Sequence, residues 1–421
     1  MNELRLFLSQ PKNMRILLLT SLLYAFVLPI IDIFVAAYIM RNSSDVGKVV
    51  AYQLMVYSGI PLTFLINGFL LNKVKPGCLY AFGMLLSGVS MFVMTSLPEL
   101  SFMGIAVAGL IMGGSFGFFW ANRDFLVLVC TNDDNRNYYY GLETFFNTFT
   151  FVVVPVCVGW FIQESTDLKW VDTINEAYRY VIYGVILITV LASLLINTGS
   201  YSSPQNRRFI FLKNDPLWNR MLRVAACKGM VQGFVVTAPA MLIMTFVGEE
   251  GALGTMQSIS ALITAFLMYL MGRCAKPEAR TKIYFISTLL FVLGALINSI
   301  FMSATAVIIF LLLMIVARPM YDLAYFPIQM RVIDFLGEKE KRNEYSYIFS
   351  HEWGLYLGRF LGCGLFILIN YAISATAALI YTLPIVTIVQ FLSYFEVKKI
   401  LHQIDLAEQA DRKRENPDKI Q

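Results

Sequence analysis

Twelve long apolar stretches follow one another along the chain, near 14–40, 49–72, 78–97, 101–128, 138–163, 177–198, 219–246, 252–273, 279–302, 304–331, 343–372 and 375–397. As helices rising about 1.5 Å per residue, each spans the ~30 Å of bilayer hydrocarbon, the longer ones tilting or projecting. The rest of the composition agrees. Of 421 residues, 57% are hydrophobic and 14% charged, and the mean hydropathy is +0.64. A soluble domain is nearer one half apolar and one quarter charged, so this chain has too much apolar surface for a soluble core. The predicted class is an all-α polytopic membrane protein with twelve transmembrane helices.

Lys and Arg orient the spans. One set of connections holds Arg5, Lys12, Arg15, Lys73, Lys75, Arg136, Arg207, Arg208, Lys213, Arg220, Arg223, Arg273, Lys276, Arg280, Lys282, Lys339, Lys341, Arg342, Lys398 and Lys399, whereas the opposite set holds Arg41, Lys48, Lys169 and Arg179. The positive-inside rule then places both termini in the cytoplasm, with the chain multi-pass in the plasma (inner) membrane. Apolar character begins near Ile16 and runs too long for a signal-peptide core, so the first span is expected to stay in the mature protein.

The polar stretch Asn197 to Asn219, with Ser200, Pro204, Arg207, Arg208 and Pro216, reads as a linker between two halves. Landmarks recur in register: Pro11 and Pro216, Lys75-Pro76 and Lys276-Pro277, Arg136-Asn137 and Arg342-Asn343. After the last pair, Tyr138 to Glu143 in one half and Tyr345 to Glu352 in the other lead an acid into an apolar run. The expected organisation is a six-helix bundle over 1–198, a linker over 199–218, a second, pseudo-symmetric six-helix bundle over 219–397 and a tail over 398–421. From Glu396 that tail reads as a short amphipathic helix that frays.

Charges inside the spans are few and placed unevenly. They are Asp32 in span one, Arg123 and Asp124 in four, Glu143 in five, Lys228 in seven, Arg318 and Asp322 in ten, and His351, Glu352 and Arg359 in eleven. Spans two, three, six, eight, nine and twelve have none in their interiors. A charge facing lipid costs several kcal/mol, so the charged helices are expected to line a watery interior. Helical spacing puts Arg318, Asp322, Tyr325 and Gln329 on one stripe and Glu352, Tyr356 and Arg359 on another, beside a small face of Gly354, Gly358 and Gly362. Lys228 shares a face with Gln232, and Trp120 with Arg123. Arg123 and Glu143 lie at similar depth, so a pair is geometrically open to them.

Two uses of these residues remain open: structural ion pairs, or sites for cargo and protons. Five acids (Asp32, Asp124, Glu143, Asp322, Glu352) face four bases (Arg123, Lys228, Arg318, Arg359), which leaves one acid over. Asp32 has no base on its own helix. Desolvation favours the neutral form of a carboxyl, which suits such an acid to loading and releasing a proton. For His351, near a helix start, a polar-boundary role is expected. The six scattered cysteines have no Cys-x-x-Cys, and no metal or cofactor site and no catalytic constellation is expected.

This layout resembles the major facilitator superfamily. The family's segment between spans two and three is Gly-x-x-x-Asp-Arg/Lys-x-Gly-Arg/Lys; here Gly68, Asn72 and Lys73 take the first places, with Asn72 for the acid and Lys75 for the second Gly. The second-half copy keeps Arg273 and Lys276. The resemblance implies gating by Asn72, Lys73, Asp124 and Arg273, and a rocker-switch secondary transporter whose halves tilt about a central site. The family's antiporter signature ends Gly-Pro-x-x-Gly-Gly; Val154-Pro155 with Gly159 departs from it, which leans away from drug/proton antiport. No Walker-type phosphate loop is present in the sequence.

The expected function is therefore proton-coupled symport of a small polar solute by a monomer in the lipid bilayer, with no nucleic-acid partner. Asp32, Glu143, Glu352 and Asp322 are the candidate proton sites. Trp120, Arg123, Lys228, Gln232, Arg318, Tyr325, Tyr356 and Arg359 are the candidate solute contacts, the basic ones drawing an anionic group. Multidrug efflux in the same fold, and a non-transporting receptor or scaffold, are the alternatives.

Overall fold

A computed structural model describes residues 3–71, 73–131, 133–201, 210, 213–246, 249–274, 279–340 and 344–415. These residues form α1 (Glu3–Ser9), α2 (Lys12–Ala25), a π-helical turn (Ile30–Phe34), α3 (Val35–Ser43), α4 (Val46–Leu70), α5 (Pro76–Ser96), α6 (Phe102–Cys130), α7 (Asp133–Asp167) and α8 (Ile174–Ile196). The later helices are α9 (Pro216–Val235), α10 (Ala238–Phe246), α11 (Glu250–Cys274), α12 (Arg280–Phe301), α13 (Ala304–Glu340), α14 (Glu344–Ala372) and α15 (Ala375–Glu415). No strand occurs among the described residues.

Short polar residues start the helices. Asp45 caps α4 by accepting from Gly47 N at 2.8 Å, Ser101 caps α6 from Gly104 N at 3.2 Å, and Thr173 caps α8 from Glu176 N at 3.2 Å. Pro76 opens α5, where its missing N–H is not needed. Left-handed Ser44 and Met302, at φ 51° and 39°, stop α3 and α12.

Ten stretches among the described residues are long and apolar enough to cross a membrane, the first being Lys12–Ser43 taken as one span. The predicted spans seven and eight fall on α9 with α10 and on α11, so the succession of twelve is consistent with the helices seen. Span seven is broken: a turn at 236–237 separates α9 from α10. The helix expected from Glu396 is continuous with the last span, α15 running 41 residues to Glu415; the part of the tail beyond it, 416–421, lies outside the described residues. Val397, Ile400 and Ile404 bury one face of that extension, and Arg331 on α13 donates to Asp405 at 2.8 Å.

The chain divides into two compact units. Unit 1 comprises Met1–Arg207, Gly233–Ile263 and Phe366–Ala375; unit 2 comprises Arg208–Gln232, Thr264–Leu365 and Thr376–Gln421. Inside unit 1, α4 and α6 meet backbone to backbone, since a Cβ on Gly113 would lie 2.8 Å from the Gly59 Cα. Asn122 Nδ2 donates to the Asn67 side-chain oxygen Oδ1 at 2.7 Å within this interface, both side chains fully buried. Inside unit 2, α9 and α14 are drawn equally close. A Cβ on Gly358 would stand 2.7 Å from the Ala226 carbonyl carbon, and one on Gly362 would stand 3.0 Å from that of Met230. The small face expected on span eleven is thus used for helix contact, in which packing rather than hydrophobic drive holds helices together.

Candidate functional site

Each unit carries a deep polar cluster built from residues that the sequence singled out. In unit 1, α6 presents Arg123 to Glu143 on α7: Nε donates to Glu143 Oε1 at 3.0 Å and a terminal nitrogen donates to Oε2. The other terminal nitrogen reaches Asp124 at 2.6 Å. Glu143 is only 5% exposed, and Tyr139, one turn earlier on α7, adds its hydroxyl at 3.2 Å. Ser21 of α2 lies 3.4 Å from that hydroxyl. The guanidinium also sits over the Trp120 ring, 5.8 Å from its centroid. A bidentate guanidinium–carboxylate pair with further hydrogen bonds is the arrangement that lets a charge stay buried.

Asp32 occupies a different setting. It is exposed near the middle of the 32-residue span Lys12–Ser43, while Ile30, Ile31, Ile33 and Phe34 around it are buried. The π-helical turn makes it the outward residue of this run. π-Bulges occur frequently at functional sites because the widened turn re-aims a side chain.

In unit 2, α9, α13 and α14 contribute. Lys228 Nζ donates to Asp322 at 2.9 Å and lies 4.1 Å and 4.0 Å from the ring centroids of Tyr325 and Phe326. One turn further along α9, Gln232 accepts from Arg359 on α14 through two nitrogens, at 3.2 and 2.9 Å. Arg359 also pairs with Glu352 at 3.5 Å. Lys228 and Arg359 are 8% and 7% exposed, so both cations are withdrawn from bulk water. The glycine contact between α9 and α14 makes this possible, because it brings Lys228, Gln232 and Arg359 onto facing backbones. Behind them the Tyr325 hydroxyl hydrogen-bonds to Nε2 of His351.

Arg318 is the exception in unit 2. It is exposed near the middle of the span Thr305–Gly337 and makes no ion pair among the described residues. Asp322, one turn along the same stripe, is partly exposed. A guanidinium facing acyl chains at that depth is costly, which favours an aqueous setting for this face of α13.

The structure therefore joins Arg123, Asp124, Glu143 and Trp120 in one cluster, and Lys228, Gln232, Asp322, Tyr325, Glu352 and Arg359 in another. The Arg123–Glu143 pair that matching depth suggested is made. Tyr356 is partly exposed, its ring against Trp353 and Phe360. Lys73 is exposed after α4. Asn72 and the Arg273 side chain lie outside the described residues, as do Lys276 and Pro277. His351 lies seven residues inside α14, near the start of the apolar stretch Phe349–Ala372, and is buried there at 3% exposure. Sequence reasoning missed Tyr139, although its i, i+4 spacing to Glu143 could have found it. It also missed Arg41 and Glu250, whose pairing no local spacing signals: Arg41 donates through Nε and a terminal nitrogen to the Glu250 carboxylate.

Comparison with known proteins adds the following. The family model of the Major Facilitator Superfamily matches residues 14–363. The uncharacterized protein YqgE of Bacillus subtilis (strain 168) is 22% identical over 396 residues, 92% of this chain and 90% of that protein. An uncharacterized protein in the sodM 3' region of Geobacillus stearothermophilus is 21% identical over 158 residues, 38% of this chain and 74% of its own length. Among solved structures, the nucleoside transporter NupG is similar with a TM-score of 0.67 and 12% identity, over 93% of this chain and 99% of that one. A bacterial metal transporter is similar with a TM-score of 0.62 and 15% identity, again over 93% and 99%. At these identities the likeness to the two structures concerns the fold.

Proposed function

Because this chain belongs to the Major Facilitator Superfamily, we propose that it carries a small anionic solute across the plasma membrane by alternating access, coupled to proton movement. The chain is a multi-pass membrane transporter; its cargo, coupling and direction are what the proposal adds. The single observation that carries it is in unit 2, where Lys228 pairs with Asp322 and Arg359 with Glu352 while Arg318, on the same stripe of α13 as Asp322, makes no ion pair among the described residues. Arg318 is the base left over, exposed at mid-span. A cargo bearing one negative charge completes that set, with Arg318 as its first anchor and Lys228 and Arg359 as neighbours that can share it.

Asp32 supports the coupling half of the reading. It is an exposed carboxyl in the middle of a span, where protonation relieves the cost of charge, so proton uptake and release go with changes in its surroundings. Glu143, held by Arg123 and Tyr139, serves as a structural partner in this scheme, with Glu352 and Asp322 as the acids that trade partners with the cargo. The termini are placed in the cytoplasm on the distribution of Lys and Arg, and the transporting unit is taken to be a monomer with a bundle on either side of the 199–218 linker. Fold likeness does not choose the cargo: the two solved transporters carry, by their names, a nucleoside and a metal.

The test is a thermal-shift screen of the purified protein against inorganic phosphate, monocarboxylates, nucleoside monophosphates and their neutral analogues. Stabilisation by a monoanionic class is expected, with Arg318→Gln weakening it at least about tenfold, equivalent to ~1.4 kcal/mol. Uptake of the stabilising compound into proteoliposomes should rise with an inward proton gradient. Stabilisation by neutral or cationic amphiphiles alone would turn the reading to drug export. Tight binding with no flux would turn it to a receptor.

A further inference from the structure

The start of α11 is fastened inside unit 1 by a group of polar bonds that the transport reading leaves unused. Glu250, its first residue, is 1% exposed and receives two hydrogen bonds from the Arg41 guanidinium at the end of α3. The Tyr178 hydroxyl of α8 donates to the same carboxylate at 3.4 Å, and the Tyr178 ring meets that of Tyr38 edge-on at 5.2 Å. Along the next turns of α11, Gly251 N donates to Gln163 Oε1 at 3.0 Å and Trp160 Nε1 donates to Thr255 Oγ1 at 3.0 Å. Val156 N donates to Ser258 Oγ at 3.1 Å.

Two features distinguish this fastening from permanent packing. The Arg41 side chain is 29% exposed although its partner is sealed, so water can reach the pair from one side and hydrate both ions as they separate. The helix itself changes allegiance, belonging to unit 1 as far as Ile263 and to unit 2 from Thr264. Arg41 lies at the opposite end of its span from Asn13, whose amide bonds the Ser200 carbonyl at 2.6 Å beside the start of the chain.

We propose that Arg41, Tyr178 and Glu250 form a releasable latch that closes the side of the membrane opposite the start of α2, and that it opens once in each transport cycle. This rests on the transport reading but not on the nature of the cargo. Arg41 supplies the charge, Glu250 is the catch, and Tyr178 is the positioning residue that keeps the carboxylate aimed at Arg41. Asp32, about two and a half turns further into the same span, becomes reachable from the latch side only when the catch is released.

The experiment needs no substrate. A thiol reporter is placed at the exposed mid-span position as Asp32→Cys in the full chain, and sealed vesicles are treated from the latch side with a membrane-impermeant maleimide. Labelling of the six native cysteines is subtracted using the chain without the reporter. Adding Glu250→Gln should speed reporter labelling at least about tenfold, since loss of one partner of a buried pair strands the other. Tyr178→Phe should do so to a smaller degree, and the exchange Arg41→Glu with Glu250→Arg should return the rate toward the starting value. Unchanged labelling in Glu250→Gln, or no return in the exchange, would overturn the latch. Where Glu250→Gln fails to assemble, Arg41→Cys with Glu250→Cys answers instead: oxidation should protect the reporter and reductant should restore it, and a cross-link that leaves labelling unchanged would overturn the proposal. An anion screen that finds no ligand bears on the cargo alone and leaves this outcome standing.

Discussion

In unit 1, Arg123 commits its guanidinium to Glu143 and Asp124, with Trp120 beneath it and Tyr139 completing the acid. In unit 2, Lys228 pairs with Asp322 and Arg359 with Glu352, while a third cation, Arg318, stands exposed on α13 with no ion pair among the described residues. The residue types are the same; the arithmetic and the access to water differ. A guanidinium committed to a buried carboxylate, with a second acid beside it, has no positive charge to spare for a solute, and its loss is felt as instability. A cluster with a cation in excess and an open side takes its missing partner from the cargo in the proposed reading, and its loss is felt as weaker binding. On the proposed reading, the two units separate holding a helix pair together from holding a cargo.

That contrast can be broken most directly at Arg123. Arg123→Ala should lower stability by about 3–5 kcal/mol by stranding Glu143, read as a large drop in unfolding midpoint in lipid nanodiscs, and Arg123→Gln with Glu143→Gln should recover most of it. Recovery of fold with complete loss of solute binding would instead make unit 1 part of the binding site. Gly358→Ala comes next, at about 1–3 kcal/mol, because its Cβ meets rigid backbone of Ala226 and Met230. The same variant should loosen solute binding, since it pushes Arg359 away from Gln232. The smallest effect on stability is expected from Asp32→Asn, within about 0.5 kcal/mol as for an exposed position. Its uptake should no longer respond to a pH gradient; a large fall in midpoint would move Asp32 to the structural side of the comparison.

Much of this was legible in the chain because membranes simplify the code. Runs of apolar residues must be helices, so the spans, the stripe from Arg318 to Gln329 and the glycine face of α14 follow from length and a 3.6 period. Equal depth suggested Arg123 with Glu143. Depth could not say that Lys228 would turn to Asp322 and leave Gln232 to Arg359, because helix rotation depends on neighbours far along the chain. Arg41 and Glu250 sit at span ends, where a charge is unremarkable, and they are 209 residues apart. The start of α14 was legible, at 343 against Glu344, but the burial of His351 was not, because it depends on how the helix turns toward Tyr325 on α13. The tail read as separate because Lys398 and Lys399 end the apolar run, yet Val397, Ile400 and Ile404 continue the buried face through them.

The π-helical turn at Ile30–Phe34 has a consequence for how this protein can vary. One surplus residue in a helix rotates everything beyond it by roughly 100°. Deleting a single isoleucine there would leave the hydropathy profile of the first span almost untouched, yet it would swing Arg41 away from its present bearing and bury the one acid that now looks out. Relatives that differ by one residue at this place would be alike in every bulk property and unlike in chemistry, so length at the bulge, more than similarity around it, is what an alignment of such chains should respect.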